Sequence, residues 1–153
     1  MPESPSVPWL PPRWFIRLAW RAHRGLYRVT AGRRGLWPAR ADRWGAMRLT
    51  TIGRRSGQER SVILGYLEDG PNLVTLAMNG WGAPEPAWWL NLQARPEARV
   101  QLKSATSDVI AHAATGPERV RLWERWKALD HGLDDYARRR PTQTAVVVLA
   151  PRP

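Results

Sequence analysis

The sequence predicts a mainly β (α+β) domain: a split antiparallel β-barrel of about six strands, with flanking helices and an amphipathic helix at the N-terminus. Three observations predict it. Six short runs rich in apolar and β-branched residues lie between Ala46 and Leu149. Helical stretches fall near the two ends and once after the third run, without the strict strand–helix alternation of a doubly wound sheet. The connections are large, as in a closed or split antiparallel barrel.

Residues 1–12 are Pro-rich and read as a loose tail. Arginines then recur at 13, 17, 21, 24 and 28, within roughly 80° of a helical wheel. Trp14, Leu18, Ala22, Leu26 and Val29 fill the opposite arc. Such a basic amphipathic helix over residues 13–30 suits either an anionic membrane surface or docking on its own domain. Residues 31–45 read as an irregular Gly- and Arg-rich connector. The chain thus divides at 45: tail, helix and connector over 1–45, barrel over 46–153.

Within the barrel the strands are expected at Ala46–Ile52, Glu59–Glu68 and Leu73–Met78, with the turn "EDGPN" between the second and third. Pro86 suits the first turn of a helix covering "AWWLNLQA". Ala98–Leu102 and Asp108–Ala114 form a hairpin. Pro117–Leu129 is a helix with Thr115 as its cap and Glu118 in its first turn. "HGLDDYARRR" continues as a second helical piece, and Thr144–Leu149 is the last strand.

Composition narrows the function. With 153 residues and no cysteine, the chain can bury a core unaided and holds no disulfide, thiolate metal site or cysteine nucleophile. His23, His112 and His131 are too scattered for a metal site. The net charge is +11, and lysine occurs only at Lys103 and Lys127, so arginine carries the excess. Its planar fork suits phosphate and carboxylate, although a G+C-rich coding composition also enriches arginine. Ten Trp stand against one Phe, which points to interface or ring-stacking roles beside core packing. No secretory leader is evident, and no apolar run is long enough to span a bilayer. The expected location is cytoplasmic, with peripheral contact on the inner face of the cell membrane as an option. Nothing resembles a recognition helix or an RNA platform, so no nucleic-acid partner is expected.

The densest chemistry lies in "LTTIGRRSGQERSVILGYLEDG", Leu49 to Gly70. Gly53 and Gly57 permit unusual backbone angles, Ser56 adds a hydroxyl, and Arg54, Arg55 and Arg60 gather charge in one turn. The turn reads as a cradle for an anion, aided by its own N–H groups, or as a solvated hairpin. Further on, Asn79 and Gly80 end a strand, the helix at Pro86 offers its N-terminus to negative charge, Trp88 and Trp89 supply aromatic faces, and Asn91 supplies an amide. As core residues, the two tryptophans are a good reading for at least one of them.

Three motifs, T-x-G-R-x-S-G-x-x-R at Thr51–Arg60, P-x-W-x-x-N-L at Pro86–Leu92 and the closing "VVVL.P", occur in order. Together they resemble the deazaflavin-dependent nitroreductase and quinone reductase family over about Leu49–Pro151. The resemblance implies a split β-barrel binding coenzyme F420, a deazaflavin with a phosphate and an oligoglutamate tail, and transferring hydride to a quinone-like, nitroaromatic or other conjugated acceptor. It implies that Arg54, Arg55, Ser56 and Arg60 hold the phosphate and tail. Ser61, Val62, Ile63, Leu64 and Gly65 would lie along the cofactor, Leu76, Ala77, Met78 and Asn79 beside the ring, and Ala87, Trp88, Trp89, Leu90 and Asn91 at the helix that closes the pocket. Tyr136 matches a substrate-side tyrosine and is the candidate catalytic residue. Leu133 stands in the substrate pocket where a second tyrosine is usual, Trp81 interrupts the segment after the third strand, and Thr142 replaces an arginine common before the last strand. Coenzyme F420 stands ahead of flavin mononucleotide as cofactor. The alternatives are a flavin, haem or tetrapyrrole carrier of the same fold, and a non-catalytic membrane-surface module.

Overall fold

A computed structural model describes residues 35–78 and 84–153. The amphipathic segment 13–30, Asn79 and Trp81 lie outside them. Six strands are present: β1 (Gly45–Ile52), β2 (Glu59–Asp69), β3 (Asn72–Leu76), β4 (Glu97–Gln101), β5 (Thr106–Ala113) and β6 (Val146–Pro151). They close as β1-β2-β3-β6-β5-β4, and β4 pairs back onto β1. Every pairing is antiparallel. Closure is partial between β2 and β3: only Leu67, Glu68 and Asp69 of β2 pair with β3, and Glu59–Tyr66 pair with β1 alone.

Strand alternation sorts the side chains. In β1 the inward set is Met47, Leu49 and Thr51, each at most 1 % exposed. Its partners across the ladder are Leu64, Val62 and Arg60, so Arg60 stands on the interior side where the barrel opens. Tyr66, Val100, Val109, Val147 and Leu149 fill the rest of the interior. Strand β6 is buried on both faces from Val146 to Leu149. Its outer face, with Leu67 and Val74, is covered by Leu122 and Trp126 of helix α2 (Gly116–Leu129) and Leu133 of helix α3 (Leu133–Arg138).

Helix α1 (Ala87–Ala94) plugs one end of the barrel. Pro86 takes its N-cap position rather than its first turn. Both tryptophans are 7 % exposed and pack in the interior cluster, edge to face with centroids 6.4 Å apart. Adjacent helical residues diverge by about 100°, yet an end plug meets the core over a wide arc, so neither indole remains a free stacking face. Thr115 precedes α2 as expected but makes no side-chain cap bond.

Two connections bear on function. Gly70, at φ +57°, turns β2 into β3 beside Pro71, the left-handed geometry that glycine adopts without strain. The described end of the connector is not loose: Leu36 is 2 % exposed against Ala46 and Ile63, and Trp37 bridges to Ala46.

Candidate functional site

The β1–β2 turn is tightly built. The Gly53 N–H donates to Gln58 O and the Gly57 N–H to Gly53 O, each at 2.8 Å. Gly57 sits at φ +69°. A Cβ on Gly53 would lie 2.6 Å from Ser56 Oγ, so glycine is needed there for closeness rather than for its angle. Ser56 Oγ accepts from the Gln58 N–H at 3.2 Å, and the Arg54 N–H donates to Asn91 Oδ1 at 3.1 Å. Most of the turn's N–H groups are therefore engaged internally. The broad backbone nest read from the sequence contracts to Arg55 and Ser56, and the guanidinium groups supply the attraction for an anion.

Those groups are available. Arg54, Arg55 and Arg60 are exposed, and among the described residues no carboxylate pairs with them. The nearest acid in sequence, Glu59, pairs with Arg99 at 3.5 Å. Three like charges in one turn repel each other unless an anion offsets them.

Asn91 fixes this turn. It is 4 % exposed. Its Oδ1 accepts from both the Arg54 N–H and, at 3.3 Å, the Arg54 guanidinium. Its Nδ2 donates to Thr51 Oγ1 at 3.1 Å. An amide expected beside a ligand thus ties α1 to β1 and to the arginine turn. Thr51, which the sequence reading left out, is the other half of that tie.

The run Ser61–Gly65 does not face one way. Val62 and Leu64 are half-buried and pack against the barrel interior, and Ala77 is buried there at 0 % exposure, so of the three only Ala77 is limited to its backbone. Ser61 and Gly65 belong to the outer face, as does Ile63, and Leu76 and Met78 pack on the outer cluster. This alternation follows from the pleat. Ser61 Oγ and Thr50 Oγ1 share a hydrogen bond of 2.8 Å beside the turn. At the far end the Trp44 indole lies on Gly65, where an added Cβ would meet it at 3.0 Å. The structure therefore brings Ser61, Ile63, Gly65, Leu76 and Met78 onto one outer surface. Ala87 is exposed at the start of α1, and Leu90 is half-buried.

The substrate-side expectation changes at one residue. Leu133 is 2 % exposed and packs with Leu122 and Trp126. It is a core residue beneath α2, not a pocket wall. Tyr136 is half-buried on α3, with its ring and hydroxyl folded 2.9 Å from where a Gly132 Cβ would sit. A further residue was invisible in the run "RRR". Arg140, its side chain fully buried, donates to Ala77 O at 3.1 Å, Thr144 Oγ1 at 2.8 Å and Glu85 Oε1 at 3.3 Å. Thr142 donates to the same carboxylate oxygen at 3.0 Å. Thr142 stands where the resemblance expects an arginine, and Arg140, two residues earlier, clamps the end of β3 to the approach to α1. Among the described residues no cluster of His, Asp and Glu could hold a metal ion.

The chain resembles known proteins in sequence and shape. The sequence model of the F420H(2)-dependent quinone reductase family matches residues 19–151. An F420H(2)-dependent quinone reductase of Mycobacterium tuberculosis is 30 % identical over 106 residues, covering 68 % of this chain and 70 % of that protein. The solved structure of an F420-H2 dependent reductase superposes with a TM-score of 0.62 at 25 % identity, over 68 % of this chain and 92 % of that one. A heme storage protein from Vibrio cholerae shares the fold alone, with a TM-score of 0.53 at 11 % identity over 71 % of this chain and 82 % of its own.

Proposed function

This chain belongs to the F420H(2)-dependent quinone reductase family, and we propose on that premise that its Arg54–Arg60 turn holds the phosphate and acidic tail of coenzyme F420. The protein is an F420-dependent oxidoreductase whose acceptor is a quinone. The observation that carries the site assignment is the turn itself: three exposed guanidinium groups with no carboxylate partner among the described residues, on a backbone held by Asn91. A polyanionic tail fits this donor set, because arginine meets phosphate and carboxylate oxygens with paired, charge-assisted bonds.

When bound, the reduced deazaflavin supplies the hydride. The chain's own residues bind, orient and exclude water. Arg55 and Arg60 neutralise the acidic tail. The Ser61–Thr50 hydroxyl pair offers hydrogen bonds next to the turn. Leu76 and Met78, half-buried on the outer face, offer an apolar surface on which a flat ring displaces water. Tyr136 is proposed to donate a hydrogen bond to the acceptor oxygen, and a nitroaromatic is proposed as a second acceptor class. Holding two rings in reacting geometry contributes several kcal/mol of the barrier reduction.

Replacing Arg55 and Arg60 with alanine should weaken F420 binding by at least tenfold, at about 1.5–3 kcal/mol per charged hydrogen bond. Fluorescence titration measures it, and an unchanged dissociation constant would remove the cradle.

The arginine stripe of residues 13–30 supports peripheral contact with an anionic membrane, where a lipophilic quinone resides. Among the described residues no helix is long and apolar enough to cross one. The full chain should co-sediment with phosphatidylglycerol vesicles at low salt and be released at high salt. Equal binding to neutral vesicles would contradict an electrostatic contact.

A further inference from the structure

Helices α2 and α3 and the lead into β6 form a cleft of about 390 Å³, lined by Arg119, Trp123, Asp134, Arg138, Gln143 and Thr144. It shares no residue with the arginine turn or the outer surface, and its size lies within the roughly 300–1,000 Å³ range of small-ligand sites.

Arg119 is placed there against three physical preferences. It lies in the first turn of α2, at the positive end of the helix dipole, where anions rather than cations are stabilised. Burial disfavours its charged form and lowers its pKa. Among the described residues no carboxylate pairs with it. The neighbouring acids are committed elsewhere. Asp134 accepts the Trp123 indole N–H at 2.7 Å and pairs with Lys127 at 3.1 Å. Asp135 holds Arg138, and Glu118 holds His112 at 2.9 Å. Arg119 is nonetheless held in place. One terminal nitrogen donates to Thr144 O at 2.7 Å, and the guanidinium lies 5.3 Å from the Trp123 ring centroid. A guanidinium has five N–H donors in a fixed fork, so donors remain beside the cleft.

We propose that this cleft binds a small planar organic carboxylate, aromatic by preference, with Arg119 as the charge anchor, Trp123 as the apolar wall and the Gln143 amide as a further donor. An anion there relieves the uncompensated cation, and the indole's apolar surface in the cleft lining favours an aromatic partner over an aliphatic one. The site is independent of the deazaflavin assignment.

The test is an NMR titration of the full chain with benzoate at low ionic strength, with acetate as the non-aromatic control. Saturable binding is expected, tighter for benzoate than for acetate. It should weaken at least tenfold in R119Q and less in R119K, which keeps the charge but loses the fork. The R55A/R60A protein should bind benzoate as wild type does, and benzoate should raise the melting temperature of wild type but not of R119Q. Absence of saturation in wild type, equal affinity in R119Q and R119K relative to wild type, or loss of binding in R55A/R60A would each overturn the proposal.

Discussion

At the residue scale the pivotal group is Asn91, which touches Arg54 twice and Thr51 once. Removing its amide leaves the Arg54 N–H without an acceptor and frees the guanidinium to wander. Asn91→Ala should therefore weaken F420 binding about tenfold, in line with roughly 1–3 kcal/mol for a buried polar group left unpaired. Because Arg54 and Asn91 form one network, adding Arg54→Ala to Asn91→Ala should cost much less than Arg54→Ala alone costs in wild type. Full additivity in titrations of the four proteins would show that Asn91 does not act through the turn. Residue types and motif spacing made the arginine turn legible in the sequence. Which polar atoms were free was not legible, because that depends on contacts such as Asn91 to Arg54, 37 positions apart. Arg140 shows the same limit. In sequence it is one of three adjacent arginines, and only the meeting of Ala77, Glu85 and Thr144 around it makes it a buried clamp.

At the element scale, α2 is anchored to the β2–β3 hairpin by charge as well as by Leu122 and Trp126. Arg121 grips both oxygens of Asp69 at 2.7 and 2.9 Å, and Arg125 reaches Glu68 O at 2.7 Å. The Arg121 hydrogen bond, with the charges of Arg121 and Arg125, holds the Asp69 carboxyl below its ordinary pKa despite partial burial. A carboxylate with a lowered folded pKa contributes stability above its unfolded value, about 3.9, and that contribution is lost as pH falls through the folded pKa. Asp69→Asn should therefore lower the melting temperature at pH 7, and the difference from wild type should shrink in acid scans below about pH 4. A constant difference across that range would mean that the side chain acts by packing alone. Within the described residues the strands and helices were readable to within one or two residues because each has a distinct period and turn chemistry. The double burial of Trp88 and Trp89 was not readable, since an eight-residue plug at a barrel end has no polar stripe to mark an outward face.

At the scale of the whole molecule, the excess of positive charge has a distribution. Many acids of the described barrel and helices are matched by bases, among them Glu59 and Asp108 with Arg99, Asp69 with Arg121 and Arg125, Glu85 with Arg140, and Asp134 with Lys127. The Arg54–Arg60 turn gathers three unmatched cations at the mouth of a barrel whose ladder fixes where it points. A rigid β scaffold carrying its binding groups on a connecting turn is a common division of labour. It explains why the barrel, shared with a heme protein at 11 % identity, says little of the ligand, whereas the turn and the helix that braces it say more. The most direct measurement is isothermal titration of wild type and R55A/R60A with two ligands, F420 and the same deazaflavin lacking its phosphate and tail. If the turn grips the acidic end, wild type binds F420 at least tenfold more tightly than the truncated ligand, and the double variant binds the two alike. A wild-type protein that binds both ligands equally, or a double variant that still discriminates fully between them, would contradict it.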